Sequence, residues 1–180
     1  MKNLMLSLIV TVISACTHSS HGNHSTSAAI EKGEMGGTHY AFRSKTYFMG
    51  QPTVATLDEA KKQGVTTVIN LRTEEENKSA DYNAVVETKK RGLNYYSFPI
   101  DSREPLSKDK LAQIETAYMS HHKKGEKVIV HCASGQRVGA WFAYHIRTTH
   151  GESSEQALRE AEAVGLSSTQ LIEQVKRAIQ

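Results

Sequence analysis

The chain has few residues that could staple or stiffen it. Among 180 residues there are two cysteines, three prolines and one tryptophan. Two cysteines cannot build a disulfide framework, and three prolines are too few for a proline-rich linker. A basic stripe is also missing: Lys and Arg alternate with Asp and Glu along the helix-like segments, and the net charge is only +3. That pattern lacks the electrostatic footprint of a nucleic-acid binder, and no nucleic-acid reader motif is present. No internal repeat is visible, which excludes a solenoid. What is present is ordinary for a globular chain, 38% hydrophobic and 23% charged residues. Its length suits one domain with an appendage.

The appendage is the N-terminus. Lys2 precedes an apolar stretch, residues 4–15, too short to span a bilayer as a mature helix. It ends in Ile13-Ser14-Ala15-Cys16, which resembles the bacterial lipobox, where cleavage precedes a cysteine that is then lipidated. An ordinary cleaved signal peptide is the alternative. Thr17, rather than Asp, follows the cysteine, and by resemblance to Gram-negative sorting this implies a periplasm-facing protein lipid-anchored to the outer membrane. Residues 1–16 are thus read as a lipoprotein signal with its lipidation site, 17–38 as a flexible tether rich in Ser, Gly, Asn and His, and 39–180 as the folded domain. His18, His21 and His24 in the tether could bind a transition metal weakly, but solvated linker histidines are the plainer reading, and no metal is assigned. Lipidation of Cys16 leaves Cys132 without an internal partner. A free thiol in an oxidising compartment calls for a reason, and catalysis is the leading one.

Within the domain, strand-like and helix-like segments alternate. Residues 46–52 read as a short strand ended by Pro52, followed by a helix with Thr56 and Glu59 as a capping box and Gly64 as its stop. Residues 65–72 are rich in β-branched residues and read as a buried strand. The next stretch, 73–92, opens with acids and closes with Lys89, Lys90 and Arg91, in the order a helix dipole favours. Residues 93–100 form another strand, Ser107 caps a helix to about His122, and residues 127–132 form the central strand. Three helices finish the chain, with Ser153 and Ser167 as start signals for the last two. This alternation predicts an α/β fold: a mostly parallel central sheet flanked by helices. Ligands of such sheets sit at the carboxyl ends of strands. Asn70-Leu71-Arg72, Asp101 and His131-Cys132 all fall at such ends, so three distant clusters are expected to meet on one rim.

The stretch "KVIVHCASGQRVGAWFAYHI" carries the chemistry. Ala133, Ser134, Gly135 and Gln136 can turn backbone N–H groups inward as a nest for negative charge, and the following helix points its positive end at the same place. Arg137 adds a planar fork matched to two oxygens of a phosphate-like group. Together they would stabilise a thiolate on Cys132 and an anion placed against it. The bland alternative is a buried strand-end cysteine beside a salt-bridged arginine.

"HCASGQR" looks like the signature of the cysteine-dependent phosphatases. More closely, "MGQP", "VTTVINLR", "YYSFPI" and "HCASGQRVGAWFAY", in that order over residues 47–166, resemble a bacterial dual-specificity-phosphatase-like family, also labelled β-lactamase-hydrolase-like or protein tyrosine phosphatase family protein. The resemblance implies a cofactor-free hydrolase of a phosphate ester, small or protein-borne. Cys132 would be the nucleophile, and Arg137 with the N–H groups of residues 133–137 would bind the phosphoryl oxygens. Asp101 would be the general acid, and His131 would orient the thiolate from the strand side. Asp101 could instead be only a turn residue. Arg72 is an auxiliary anion contact or a partner of Glu74 or Glu75. Two departures stand out. Four residues separate Cys132 from Arg137, one fewer than in the phosphatase signature and resembling rhodanese-type sulfurtransferases. Val138 also stands where phosphatases usually place a hydroxyl residue. A sulfurtransferase carrying a persulfide on Cys132, or an anion-binding module without turnover, are therefore the rivals.

Overall fold

The computed structural model describes residues 28–180. The lipobox with Cys16 and the tether histidines His18, His21 and His24 lie outside the described residues. One six-stranded sheet organises the domain, in the order β1-β2-β3-β6-β4-β5. Its strands are β1 (Glu31–Met35), β2 (Thr38–Arg43), β3 (Thr46–Met49), β4 (Val65–Asn70), β5 (Asn94–Ser97) and β6 (Lys127–His131). The pairs β3/β6, β6/β4 and β4/β5 are parallel, while β1/β2 and β2/β3 are antiparallel. The helices are α1 (Val54–Lys62), α2 (Glu74–Lys78), α3 (Ala84–Lys90), α4 (Lys108–His122), α5 (Gln136–Thr149), α6 (Ser154–Ala163) and α7 (Thr169–Ala178). The expected α/β fold is met, with an antiparallel edge added.

Successive residues of a strand face opposite sides, so β6 feeds two cores. Val128 and Val130 join the larger core, with Leu111, Ile114, Trp141 and Phe142 from α4 and α5. Ile129 joins the smaller one, with Leu57 and Ala60 of α1. All three are fully buried, each stabilising the fold by roughly 1.5–3 kcal/mol. The two-sided burial explains why β6 reads as a continuous apolar run.

Four elements differ from the sequence reading. The tether expected over 17–38 gives way to β1 at Glu31. Gly36 and Gly37, both at positive φ, form a two-residue hairpin into β2, and Met35 plugs the smaller core. The cap of α1 is Thr53, with Thr56 as its reciprocal partner, rather than Thr56 with Glu59. The stretch 73–92 is two short helices, because Asn83 starts a new one by accepting the Val86 N–H at 3.1 Å. The cap of α7 is Ser168, one residue beyond Ser167.

Parallel pairing aligns the strand ends. Met49 and Asn70 flank His131 on either side, and Ser97 lies opposite Asn70. The segments leaving β3, β6, β4 and β5 therefore emerge from one edge of the sheet, and they build the site.

Candidate active site

At the end of β6 the chain turns through Ala133 and Ser134 into Gly135, which caps α5 at φ 87. The Gly135 N–H donates to Cys132 Sγ at 3.1 Å. The sulfur thus sits at the N-terminal mouth of a fourteen-residue helix, where partial positive charge favours an anion. Cys132 is buried, and its own N–H donates to Met49 O at 3.4 Å. The segment after β3 braces the loop: the Gln51 N–H donates to Ala133 O at 3.0 Å. A Cβ on Gly50 would stand 2.9 Å from that same oxygen. Gly50→Ala is therefore expected to displace the loop, lowering stability by about 1–3 kcal/mol and changing the rate at which Cys132 is alkylated. An unchanged thermal midpoint and alkylation rate would show that nothing depends on this close approach.

Arg137 points from the first turn of α5 into a cage of acceptors. Its Nη1 donates to Ile100 O at 2.8 Å and Leu71 O at 3.3 Å, and it shares a fork with Glu76 at 2.7 Å from Nη1 and 2.6 Å from Nη2. These bonds leave Nε–H and the second Nη2–H as the remaining donors of a five-donor group. Burial opposes the charge of Arg137, but the Glu76 hydrogen bonds and the nearby Cys132 raise its pKa overall. Glu76 is held down to about 2, first by the hydrogen bond from Arg137.

Asp101 follows Ile100, so the carbonyl that anchors Arg137 also fixes where the acid loop begins. Its carboxylate is chelated by Arg103, with Nε at 2.8 and 3.1 Å and Nη2 at 2.5 Å. Those bonds hold Asp101 at about 2, with the charge of Arg137 contributing in the same direction. Its neighbour Ser102 offers its carbonyl to Gln170 Nε2 at 2.8 Å and Gln174 Nε2 at 3.3 Å, both on α7. Behind the loop, His131 is almost fully buried, and desolvation lowers its pKa to about 3. It is neutral at any ordinary pH. Its Nδ1 lies 3.4 Å from the Cys132 backbone oxygen, so its hydrogen bond is to the backbone rather than to the sulfur.

The sequence profile of the beta-lactamase hydrolase-like protein, phosphatase-like domain, matches residues 42–147, more than half of the chain, including β6, the loop after Cys132 and all but the last two residues of α5. The chain belongs to this family. No curated protein matches it. Among solved structures, the active form of Tk-PTP is similar at 23% identity, covering 74% of this chain and 90% of that one, with a TM-score of 0.64. PTPMT1 is similar at 21% identity, covering 75% and 89%, with a TM-score of 0.62. A Cys-to-Ser form of P. aeruginosa TpbA, solved in complex with pTyr, is similar at 13% identity, covering 87% and 91%, with a TM-score of 0.64. At such identities the likeness is one of fold, and the fold is that of tyrosine and dual-specificity phosphatases. The expectation of a phosphatase-type hydrolase is met by the family.

The beta-lactamase hydrolase-like domain uses some of the sequence-predicted residues in unexpected ways. The Gln136 side chain turns away from the loop: its Oε1 accepts the N–H groups of Ser167 and Ser168 at 2.8 Å each, and its Nε2 donates to Gly165 O at 2.9 Å. Only its backbone stays with the anion nest. Arg72 pairs with neither Glu74 nor Glu75. Its Nη1 donates to Gln51 Oε1 at 2.5 Å and its Nη2 to the Glu76 carbonyl, while its Nε has no partner among the described residues. Val138 is buried in the larger core and presents no hydroxyl. Glu76, Gln51 and Arg103 are the contributors that sequence reasoning missed. Only Glu76 had a signal, the Thr73-x-x-Glu76 capping box that starts α2.

Proposed function

We propose that the domain hydrolyses phosphate monoesters through a phosphocysteine. The Cys132 thiolate forms an S–P bond as the P–O bond breaks. The electrons of that bond go to the leaving oxygen, which takes a proton from Asp101. Water then attacks phosphorus, Asp101 accepts its proton, and the S–P bond breaks to return the thiolate and inorganic phosphate. The backbone nest of residues 133–137 and the free edge of Arg137 hold the three non-bridging oxygens. The observation that carries this reading is the placement of Cys132 Sγ at the mouth of α5, under the Gly135 N–H and beside a guanidinium locked by Glu76.

A soluble form lacking the N-terminal segment should turn over a small aryl phosphate, and Cys132→Ser should lose that turnover by several orders of magnitude. Phosphate release that persists in Cys132→Ser would sink the covalent mechanism. Sulfur transfer from a persulfide on Cys132 is the second reading, favoured by the four-residue spacing to Arg137 and by Val138. It has no leaving oxygen to protonate, so indifference to Asp101→Asn would support it. We place the domain at the periplasmic face of the outer membrane, held by a lipid on Cys16. The support is the lipobox-like sequence and the single thiol left in the folded domain.

A further inference from the structure

A general acid has to carry a proton when substrate arrives, and the contacts of Asp101 favour its charged form: the Arg103 backbone N–H donates to Oδ1 at 3.0 Å. Both of its oxygens are taken by the Arg103 guanidinium, in a fork closed at 2.5 Å on one side. Among the described residues the Arg103 side chain has no other hydrogen-bond partner, and it is 85% exposed. Among the described residues, Arg137 acts on Asp101, while Glu75 and Glu104 act on Arg103. Arg103 therefore has acidic neighbours other than Asp101. The backbone beneath is not free to follow, because Ser102 O is tied to Gln170 and Gln174 of α7. Release would be a swing of the arginine side chain alone, with the carboxylate left in place beside Arg137.

We propose that Arg103 is a latch on the general acid, opened by a second anionic group on the substrate, so that the preferred substrates are phosphoesters bearing another phosphate nearby. This rests on the reading of Asp101 as the acid. A second phosphate offers Arg103 a fork of the same shape with more charge than a carboxylate carries. Once Arg103 turns to it, Asp101 keeps the Arg103 backbone N–H but loses its strongest cationic partner, and holds a proton for the leaving oxygen more readily. Alkyl esters, whose alkoxide leaves poorly, depend on that proton, whereas nitrophenyl esters do not.

The test compares n-butyl phosphate with 1,4-butanediol bisphosphate, using wild type, Arg103→Gln and Asp101→Asn. General acids contribute roughly 10²- to 10⁴-fold, so wild type should favour the bisphosphate by at least about tenfold in kcat. Arg103→Gln should raise kcat on the monophosphate and erase the preference. Asp101→Asn should lower kcat on the bisphosphate. Equal kcat on the two esters in wild type, or a preference that survives Arg103→Gln, would overturn the latch while leaving Asp101 as the acid if Asp101→Asn is slow. An Asp101→Asn variant as fast as wild type on both esters would overturn the acid assignment and the latch with it. Because Arg103 is exposed and its side-chain hydrogen bonds among the described residues go to Asp101 of its own loop, its replacement is expected to leave the thermal midpoint in place, which separates these outcomes from misfolding.

Discussion

Glu76→Ala is expected to lower the stability of the domain by about 2 kcal/mol and its turnover of an aryl phosphate by roughly 10²-fold. Arg137 is 7% exposed, and its Nη groups donate to two carbonyls and to Glu76. Removing one partner of a buried pair costs about 3–5 kcal/mol when both are out of water. Glu76 is one-third exposed, at 32% of its side chain, so water can take over part of its role and the cost falls below that range. The same residue also closes the α2 cap, accepting the Thr73 N–H at 2.8 Å, and that contact is lost as well. The effect on rate has a separate origin. Without the fork, Arg137 can swing about its Ile100 and Leu71 bonds, and the edge left for phosphate no longer has a fixed direction. Glu76→Gln keeps acceptor capacity without charge and should fall between the two. Urea unfolding and steady-state kinetics on the three proteins give both readings. If Glu76→Ala unfolds earlier but turns over at the wild-type rate, the fork is only structural.

The uneven legibility of the sequence follows from where each constraint lies. Strands β4 and β6 are sandwiched between two cores, so their apolar runs announce them, and the caps of α4 and α6 need only Ser107 and Ser153. Strand β1 is an edge whose burial rests on Met35, too little pattern to separate it from a tether. At α1, Thr56 looks like a cap because a threonine there is buried and bonded. It accepts from Thr53 and reaches Met35 O at 3.0 Å from inside the first turn. Cys132, Asp101 and Arg137 could be assigned to one rim because strand ends are ordered by topology alone. Glu76 could not, since it meets Arg137 across 61 residues of chain, and nothing local in α2 marks it as more than a cap. The side-chain role of Gln136 was not legible for a related reason. Its neighbours in sequence are the loop, but its hydrogen-bond partners belong to the turn before α7.

The two arginines at the rim have opposite settings. Arg137 is caged, with a carboxylate and two carbonyls fixing its plane before any ligand arrives, and such preorganisation is what transition-state stabilisation requires. Arg103 is exposed and, among the described residues, held by the Asp101 carboxylate alone, as the proposed latch requires. Only four residues separate Cys132 from Arg137, which on the proposed reading limits the backbone N–H groups that could bind an anion. The rigidity of Arg137 then becomes a larger part of the site's affinity.

Between pH 7 and pH 5 the domain is expected to lose about 2 kcal/mol of stability through His131 alone. In the unfolded chain this imidazole takes up a proton near its ordinary value of 6.5, whereas in the fold burial pushes that value to about 3. Over the window between those values the unfolded state binds more protons than the folded one, so stability rises with pH. The contribution is therefore fully present above about pH 6.5 and declines steadily as the pH falls toward 3. His122 and His150, lowered first by burial, act in the same direction and steepen the slope. Glu76, held at about 2, adds its own loss further down, below the ordinary carboxylate range. Denaturant unfolding at a series of pH values gives the slope, and His131→Asn should flatten it between pH 7 and 5 whatever it does to absolute stability. Should that variant be too unstable to measure, the ring protons of His131 in the wild-type protein offer a second reading by NMR, and they should not titrate above pH 5. A wild-type stability that stays level from pH 7 to 5, or a His131 ring that titrates near 6.5, would mean that water reaches the back of the loop. Cys132 would then not sit against the dry wall that this structure places behind it.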